Sequence, residues 1–265
     1  MSEIRINGAS LYYEEHGNGE PILCIHGTGS SGALWADPVA ELARHGRTIA
    51  YDRRGFARSE RPEPFVTNVE QHTDDAAALL EALAAAPAIV IGRSQGGEIA
   101  VDLALRYPAR VRALALLEGG GLTLSATLRR WLADLLERVE AAAAVDVAGV
   151  GERFFRNVLG DEGWEALPEP AKQIFTANSR AILAEERGGL LEVTAAQLGT
   201  ITCPTLVVAG TDSPPGFGEA ARLVAEAIPS ARVEWVDGGH LINPAHPAVL
   251  AFVEGVLTRG EAVSS

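Results

Sequence analysis

Between Ile89 and Ala100 the chain reads Ile-Val-Ile-Gly-Arg-Ser-Gln-Gly-Gly-Glu-Ile-Ala, and no other stretch limits the possible folds so sharply. A β-branched run stops at Gly92, Ser94 follows two residues later, Gly96 and Gly97 close the turn, and a helical pattern begins. Strand, tight turn and helix around G-x-S-x-G are the signature of a nucleophile elbow. Such a turn forces its central residue into a strained backbone conformation, and the flanking glycines remove the Cβ atoms that would collide there. The strain lifts Ser94 Oγ above the sheet, while the new helix aims its free N–H groups and positive dipole end at the same spot. An ordinary βα turn is the plainer alternative. The strand before and the amphipathic helix after favour the elbow.

Strands and helices alternate on both sides of this motif. Ile4–Ile6 and Leu11–Glu14 flank Asn7-Gly8, a hairpin signal with a loop somewhat longer than two residues. Buried strands are expected at Pro21–Ile25, Thr48–Tyr51, Ala88–Ile91 and Val111–Leu117. The intervening helices cover Ala33–Arg44, Asn68–Ala86 with Asn68 as N-cap, and the segment from the elbow to about Tyr107, where Pro108 stops it. Continuous apolar strands joined by helices mean a parallel sheet covered on both faces. From Thr123 to Leu198 the pattern is helical throughout, and strands resume at Cys203–Gly210 and Arg232–Val236. A helical block of about 75 residues is too long for an ordinary connection and reads as a lid. The expected organisation is core at 1–121, helical cap at 122–199 and core again at 200–265, with residues 260–265 frayed.

Composition excludes some functions. A net charge of −13 argues against nucleic acid as a partner, because phosphate binding needs clustered Lys and Arg. Cys24 and Cys203 sit in apolar strand contexts without metal-ligand spacing and read as small buried hydrophobes. The first residues contain no apolar signal-peptide core, and no run approaches transmembrane length, so a cytoplasmic protein is expected. No metal or organic cofactor is implied. The expected partner is a small-molecule substrate, with neither nucleic acid nor membrane, in a monomer or homodimer.

Four motifs in order carry a resemblance that spans the whole chain. His26-Gly27-Thr28-Gly29 follows an early strand and Asp52-Arg53-Arg54-Gly55-Phe56-Ala57-Arg58-Ser59 the next. Gly92–Gly96 is the elbow, and Gly238-Gly239-His240 follows the last strand. The sequence resembles the α/β-hydrolase superfamily, which implies an α/β fold with a mostly parallel eight-stranded sheet, helices on both faces and an inserted helical cap. A free hydroxyl is a poor nucleophile near neutral pH, so Ser94 needs a base within hydrogen-bond reach. His240, in a Gly-Gly loop at the sheet's carboxyl edge, is the candidate. The other histidines fall in polar or helical segments, and the resemblance makes His26 an organiser of the oxyanion loop. The oxyanion hole is expected from the backbone N–H groups of Gln95 and, by resemblance, Thr28.

The acid departs from the common pattern. It usually stands three residues beyond the glycine ending the strand after the cap, and here that position is Ser213, with Asp212 one residue early. A second carboxylate, Glu118, follows Val111–Leu117 at an offset of 118 − 94 = 24 residues from the nucleophile. Haloalkane dehalogenases and lactonases of the zearalenone-hydrolase type, in the same superfamily, place their acid after this strand. Position favours Glu118, with Asp212 as the alternative; either would orient the imidazole and stabilise its cation. Asp52-Arg53-Arg54 reads as a structural turn network. Arg93 either projects into the pocket toward a polar or anionic substrate group or pairs with a carboxylate at the surface, the latter slightly favoured because most arginines are exposed. Trp131, Phe154, Phe155 and Trp164 are the cap aromatics expected to line the substrate pocket.

These residues point to a serine hydrolase cleaving a carboxylic ester or lactone of a small to medium apolar molecule through an acyl-enzyme. Ser at the elbow argues against dehalogenase or epoxide-hydrolase chemistry, for which the resemblance implies Asp there. Hydrolysis of a carbon–carbon bond in a diketone by the same triad, and a non-catalytic ligand-binding homologue, are the alternatives.

Overall fold

A computed structural model describes residues 2–263. Its eight strands are β1 (Ser2–Ile6), β2 (Ala9–His16), β3 (Pro21–Ile25), β4 (Arg47–Tyr51), β5 (Ala88–Arg93), β6 (Val111–Leu117), β7 (Thr205–Gly210) and β8 (Ala231–Val236). They form one sheet in the order β1-β2-β4-β3-β5-β6-β7-β8. β1 and β2 pair antiparallel at one edge, and β3 to β8 run parallel. The first loop is tighter than expected. Ile6 pairs with Ala9, leaving only Asn7 and Gly8, both at positive φ (45° and 83°), as a two-residue hairpin turn requires.

Every residue of β5 and β7 is buried, so apolar side chains alternate between two cores. Leu23, Val90, Leu114 and Val207 meet α2 (Val69–Ala82), α3 (Gln95–Arg106) and α9 (Phe217–Ala227) on one face. Cys24, Ile91, Ala115 and Val208 meet α1 (Ala36–Leu42) and α10 (Pro247–Val263) on the other. Asn68 caps α2, its Oδ1 accepting the Gln71 N–H at 2.8 Å, but the helix ends at Ala82 rather than Ala86. Helix α10 continues to Val263, through part of the segment expected to fray, and residues 264–265 lie outside those described. Cys24 is buried and Cys203 only half-buried.

After β6 the chain builds α4 (Ala126–Val145), α5 (Val150–Glu165, broken at Gly160), α6 (Glu169–Ala177), α7 (Ser179–Gly188) and the short α8 (Ala195–Leu198). The cap has its own apolar core of Leu135, Val139, Phe154, Phe155, Trp164 and Phe175. It sits over the carboxyl ends of the strands, where loops and helix N-termini collect. Among the described residues no helix is long and apolar enough to cross a membrane.

Candidate active site

Ser94 lies between β5 and α3 at φ 54°, ψ −121°, a conformation L-residues adopt only when the surroundings impose it. Two glycines make the turn possible. A Cβ on Gly92 would stand 2.2 Å from the Gly96 carbonyl oxygen, and one on Gly96 would stand 2.1 Å from that of Ile25. The Ser94 N–H donates to Leu117 O at 2.8 Å, and its own carbonyl accepts the Gly97 N–H at 2.8 Å. Main-chain bonds thus lock the elbow on both sides.

The base and its acid come from two further strand ends. Glu118 stands directly after β6 at φ 55° and is 2% exposed. Its Oε1 accepts the Gly210 N–H at 2.6 Å, and its Oε2 accepts from Nδ1 of the buried His240 at 3.2 Å. The Phe217 ring covers the imidazole at a centroid distance of 4.5 Å. Asp212, the alternative acid, is exposed, and its N–H donates to Gly238 O at 2.9 Å. The structure therefore brings Glu118, not Asp212, to His240.

The loop after β3 carries Thr28, buried like Gln95 across the elbow. His26 organises this loop. Its Nε2 accepts the Arg53 N–H at 3.0 Å, so the proton sits on Nδ1, which donates to Gly27 O at 2.8 Å. Burial, reinforced by the Arg53 charge, holds its pKa well below the usual histidine range and keeps the ring neutral. The Asp52-Arg53-Arg54 turn is a network of ion pairs, with Arg53 on Glu185 of α7, Arg54 on Asp75 and Arg58 on Asp52.

Ser94, His240, Thr28 and Arg93 line one cavity with Phe154, Phe155 and Phe175 of the cap. Its volume is about 20 Å³, room for a single water. Two of the four expected cap aromatics are there and two are not. Trp164 is buried behind Phe155, with stacked rings 6.4 Å apart, and Trp131 packs edge-on against Phe217 at 5.8 Å. Both tryptophans pack against other aromatic rings and neither lines the Ser94 cavity. Arg93 does not reach a surface carboxylate as expected; it is buried, its Nη1 donating to Ile242 O at 3.3 Å. Another cavity, of about 230 Å³, is lined by Gln95, Leu132 and Leu136 of α4 and Glu186 of α7.

Sequence reasoning missed three residues. Asn178, between α6 and α7, donates from Nδ2 to Gly29 O at 2.8 Å and Ser30 O at 3.1 Å, and its Oδ1 accepts the Ala57 N–H at 2.8 Å. It ties the cap to the loop that carries Thr28. Glu98, on the buried face of α3, accepts the N–H groups of Gly120, Gly121 and Leu122 at 2.8, 2.7 and 3.0 Å, bracing the chain just beyond Glu118. Burial outweighs these three bonds and pushes its carboxyl up to about 7. Phe175 stacks on Phe155 with centroids 3.7 Å apart. A carboxylate one turn into a glycine-rich helix start was a readable signal for Glu98, and Phe175 stood in the same series of apolar cap stripes as Phe154 and Phe155; Asn178 carried none.

A strained serine, a buried histidine from the last strand loop and a carboxylate one strand over decide the family, and the family model for the alpha/beta hydrolase fold matches residues 20–247. The chain is an α/β-hydrolase. It is 30% identical over 249 residues to "Putative carbamate hydrolase RutD" of Azorhizobium caulinodans, covering 91% of this chain and 92% of that protein. A 2-hydroxymuconate semialdehyde hydrolase of a Pseudomonas species is 38% identical over 128 residues, 47% of this chain and 45% of the other. Among solved structures, Est816, described as an N-acyl homoserine lactone degrading enzyme, superposes with a TM-score of 0.72 at 25% identity, covering 98% and 99% of the two chains.

Proposed function

We propose that this hydrolase cleaves a carboxylic ester or lactone of a small to medium apolar molecule through an acyl-enzyme on Ser94. The observation that carries the reading is the Glu118–His240 hydrogen bond at 3.2 Å, made beside a serine held at φ 54°. With Nδ1 committed to Glu118, Nε2 is the free nitrogen. It takes the Ser94 hydroxyl proton as Oγ attacks the acyl carbonyl, then gives that proton to the leaving oxygen as the carbon–oxygen bond breaks. The N–H groups of Thr28 and Gln95 hold the oxyanion. Water, deprotonated by His240, then attacks the acyl-enzyme; the acid leaves and Ser94 regains its proton. Glu118 keeps the imidazole in the right tautomer and offsets the charge it gains.

Relatives named for carbamate and lactone substrates support an acyl carbonyl as the reacting group. Phe154, Phe155 and Phe175 beside Ser94 support an apolar substrate. The test is turnover of a short-chain nitrophenyl ester together with labelling of Ser94 by a serine-directed phosphonate. Turnover and stoichiometric labelling, both lost in Ser94→Ala, are expected; neither turnover nor labelling in the wild type would overturn the reading. The semialdehyde hydrolase similarity favours a second reading, hydrolysis of a carbon–carbon bond in a diketone. Faster turnover of a vinylogous diketone than of any ester would select it.

A further inference from the structure

Resting on that reading of Ser94, we propose that the otherwise apolar substrate carries one carboxylate close to its scissile acyl carbonyl and that Arg93 anchors it. Three arginines are buried near this edge of the sheet. Arg53 is paired with Glu185 and Arg54 with Asp75, but among the described residues no Asp or Glu forms an ion pair with Arg93. The residue is only 9% exposed. Of the five N–H donors of Arg93, one makes a single bond of 3.3 Å to the Ile242 carbonyl. Its guanidinium otherwise lies against the Trp35 ring, 5.4 Å from the centroid.

Among the described residues the surroundings supply more donors and no carboxylate within ion-pair distance. Ser30 Oγ lines the same cavity as Arg93 and Ser94, and it is buried without a partner. Trp35 Nε1, on the ring beside the guanidinium, is also buried without a partner. Burial lowers the Arg93 pKa to about 10, which leaves it charged at neutral pH. Buried charges are normally paired, and one left without a partner is costly to the folded chain. Arg93 and Ser30 both line the nucleophile's cavity, and a guanidinium fork with a nearby hydroxyl has the chemistry to take a planar carboxylate.

The experiment compares two nitrophenyl esters of similar acyl length, the half-ester of glutaric acid and the neutral butyrate, on the full chain. The wild type is expected to prefer the half-ester by about tenfold or more in kcat/KM, mostly through KM. In Arg93→Met that preference ratio falls to about one, and Arg93→Lys, which keeps the charge without the fork, retains part of it. A preference that is absent from the wild type, or that survives in Arg93→Met, overturns the proposal. Calorimetric binding of glutarate to Ser94→Ala separates this outcome from failure of the serine-hydrolase reading. Binding that disappears on adding Arg93→Met supports the carboxylate site even where no ester is turned over, and no binding to Ser94→Ala counts against it.

Discussion

The core holds its part of the site with backbone, whereas the cap holds its part with packed side chains. Around Ser94 the geometry rests on main-chain bonds to Leu117 and Gly97, glycines that admit no Cβ, and two strand ends in register. Across the cavity, Phe154, Phe155 and Phe175 are positioned by side-chain packing against each other, their cap neighbours, Leu34 and the Gly29 loop, with Asn178 as a tether to the oxyanion loop. Backbone constraints leave few alternatives, so the core half tolerates little change in geometry. An apolar cluster can repack, so the cap half can vary its shape while keeping the fold.

The largest effect should fall within the core. Glu118→Gln is expected to lower kcat on a nitrophenyl ester by about 10³-fold to 10⁴-fold, with Asp212→Asn within about twofold of wild type. The reverse ranking would move the acid to the end of β7.

Next comes Glu98, the brace behind the Glu118 loop. Its carboxyl titrates at about 7 in the folded chain against an ordinary 4.5, so the folded state binds the extra proton between these values. Its contribution to stability is therefore fully present below pH 4.5 and is lost as pH rises through 7. Glu98→Gln should remove that dependence, worth on the order of 3 kcal/mol, from denaturant unfolding measured at pH 4.5 and 7.5. Parallel pH profiles for the two proteins would refute this account.

At the seam between the halves, Asn178→Ala should reduce kcat by about tenfold to a hundredfold while KM changes less, because the loop carrying Thr28 loses its tether. A change confined to KM would mean that the cap contact serves substrate admission instead. Smallest are the cap side chains. Phe154→Ala should raise KM about tenfold, whereas Trp131→Phe, behind the cavity wall, should stay within about twofold. Equal effects at both positions would erase the distinction between lining and packing residues.

What could be read along the chain follows the same division. The elbow, the His26 loop and the Gly-Gly turn before His240 are local patterns in which a few adjacent residues dictate a backbone shape. Strand positions were legible because buried parallel strands are continuous apolar runs. The hairpin loop and the end of α2 were misjudged by a few residues, since element ends depend on neighbours. In the cap, four aromatics looked equivalent in sequence, and two of them do not line the Ser94 cavity.

The sequence by itself determined the alternation of strands and helices, the strained serine and the identity of its candidate base. It narrowed the acid to two carboxylates. Only the tertiary structure brought Glu118 to His240 across 122 residues of chain, left Asp212 exposed, and buried Arg93 with no carboxylate partner among the described residues. The physical reason is range. A turn's strain is set by adjacent residues, whereas the meeting of a charge with its partner depends on which strands and helices come to lie side by side.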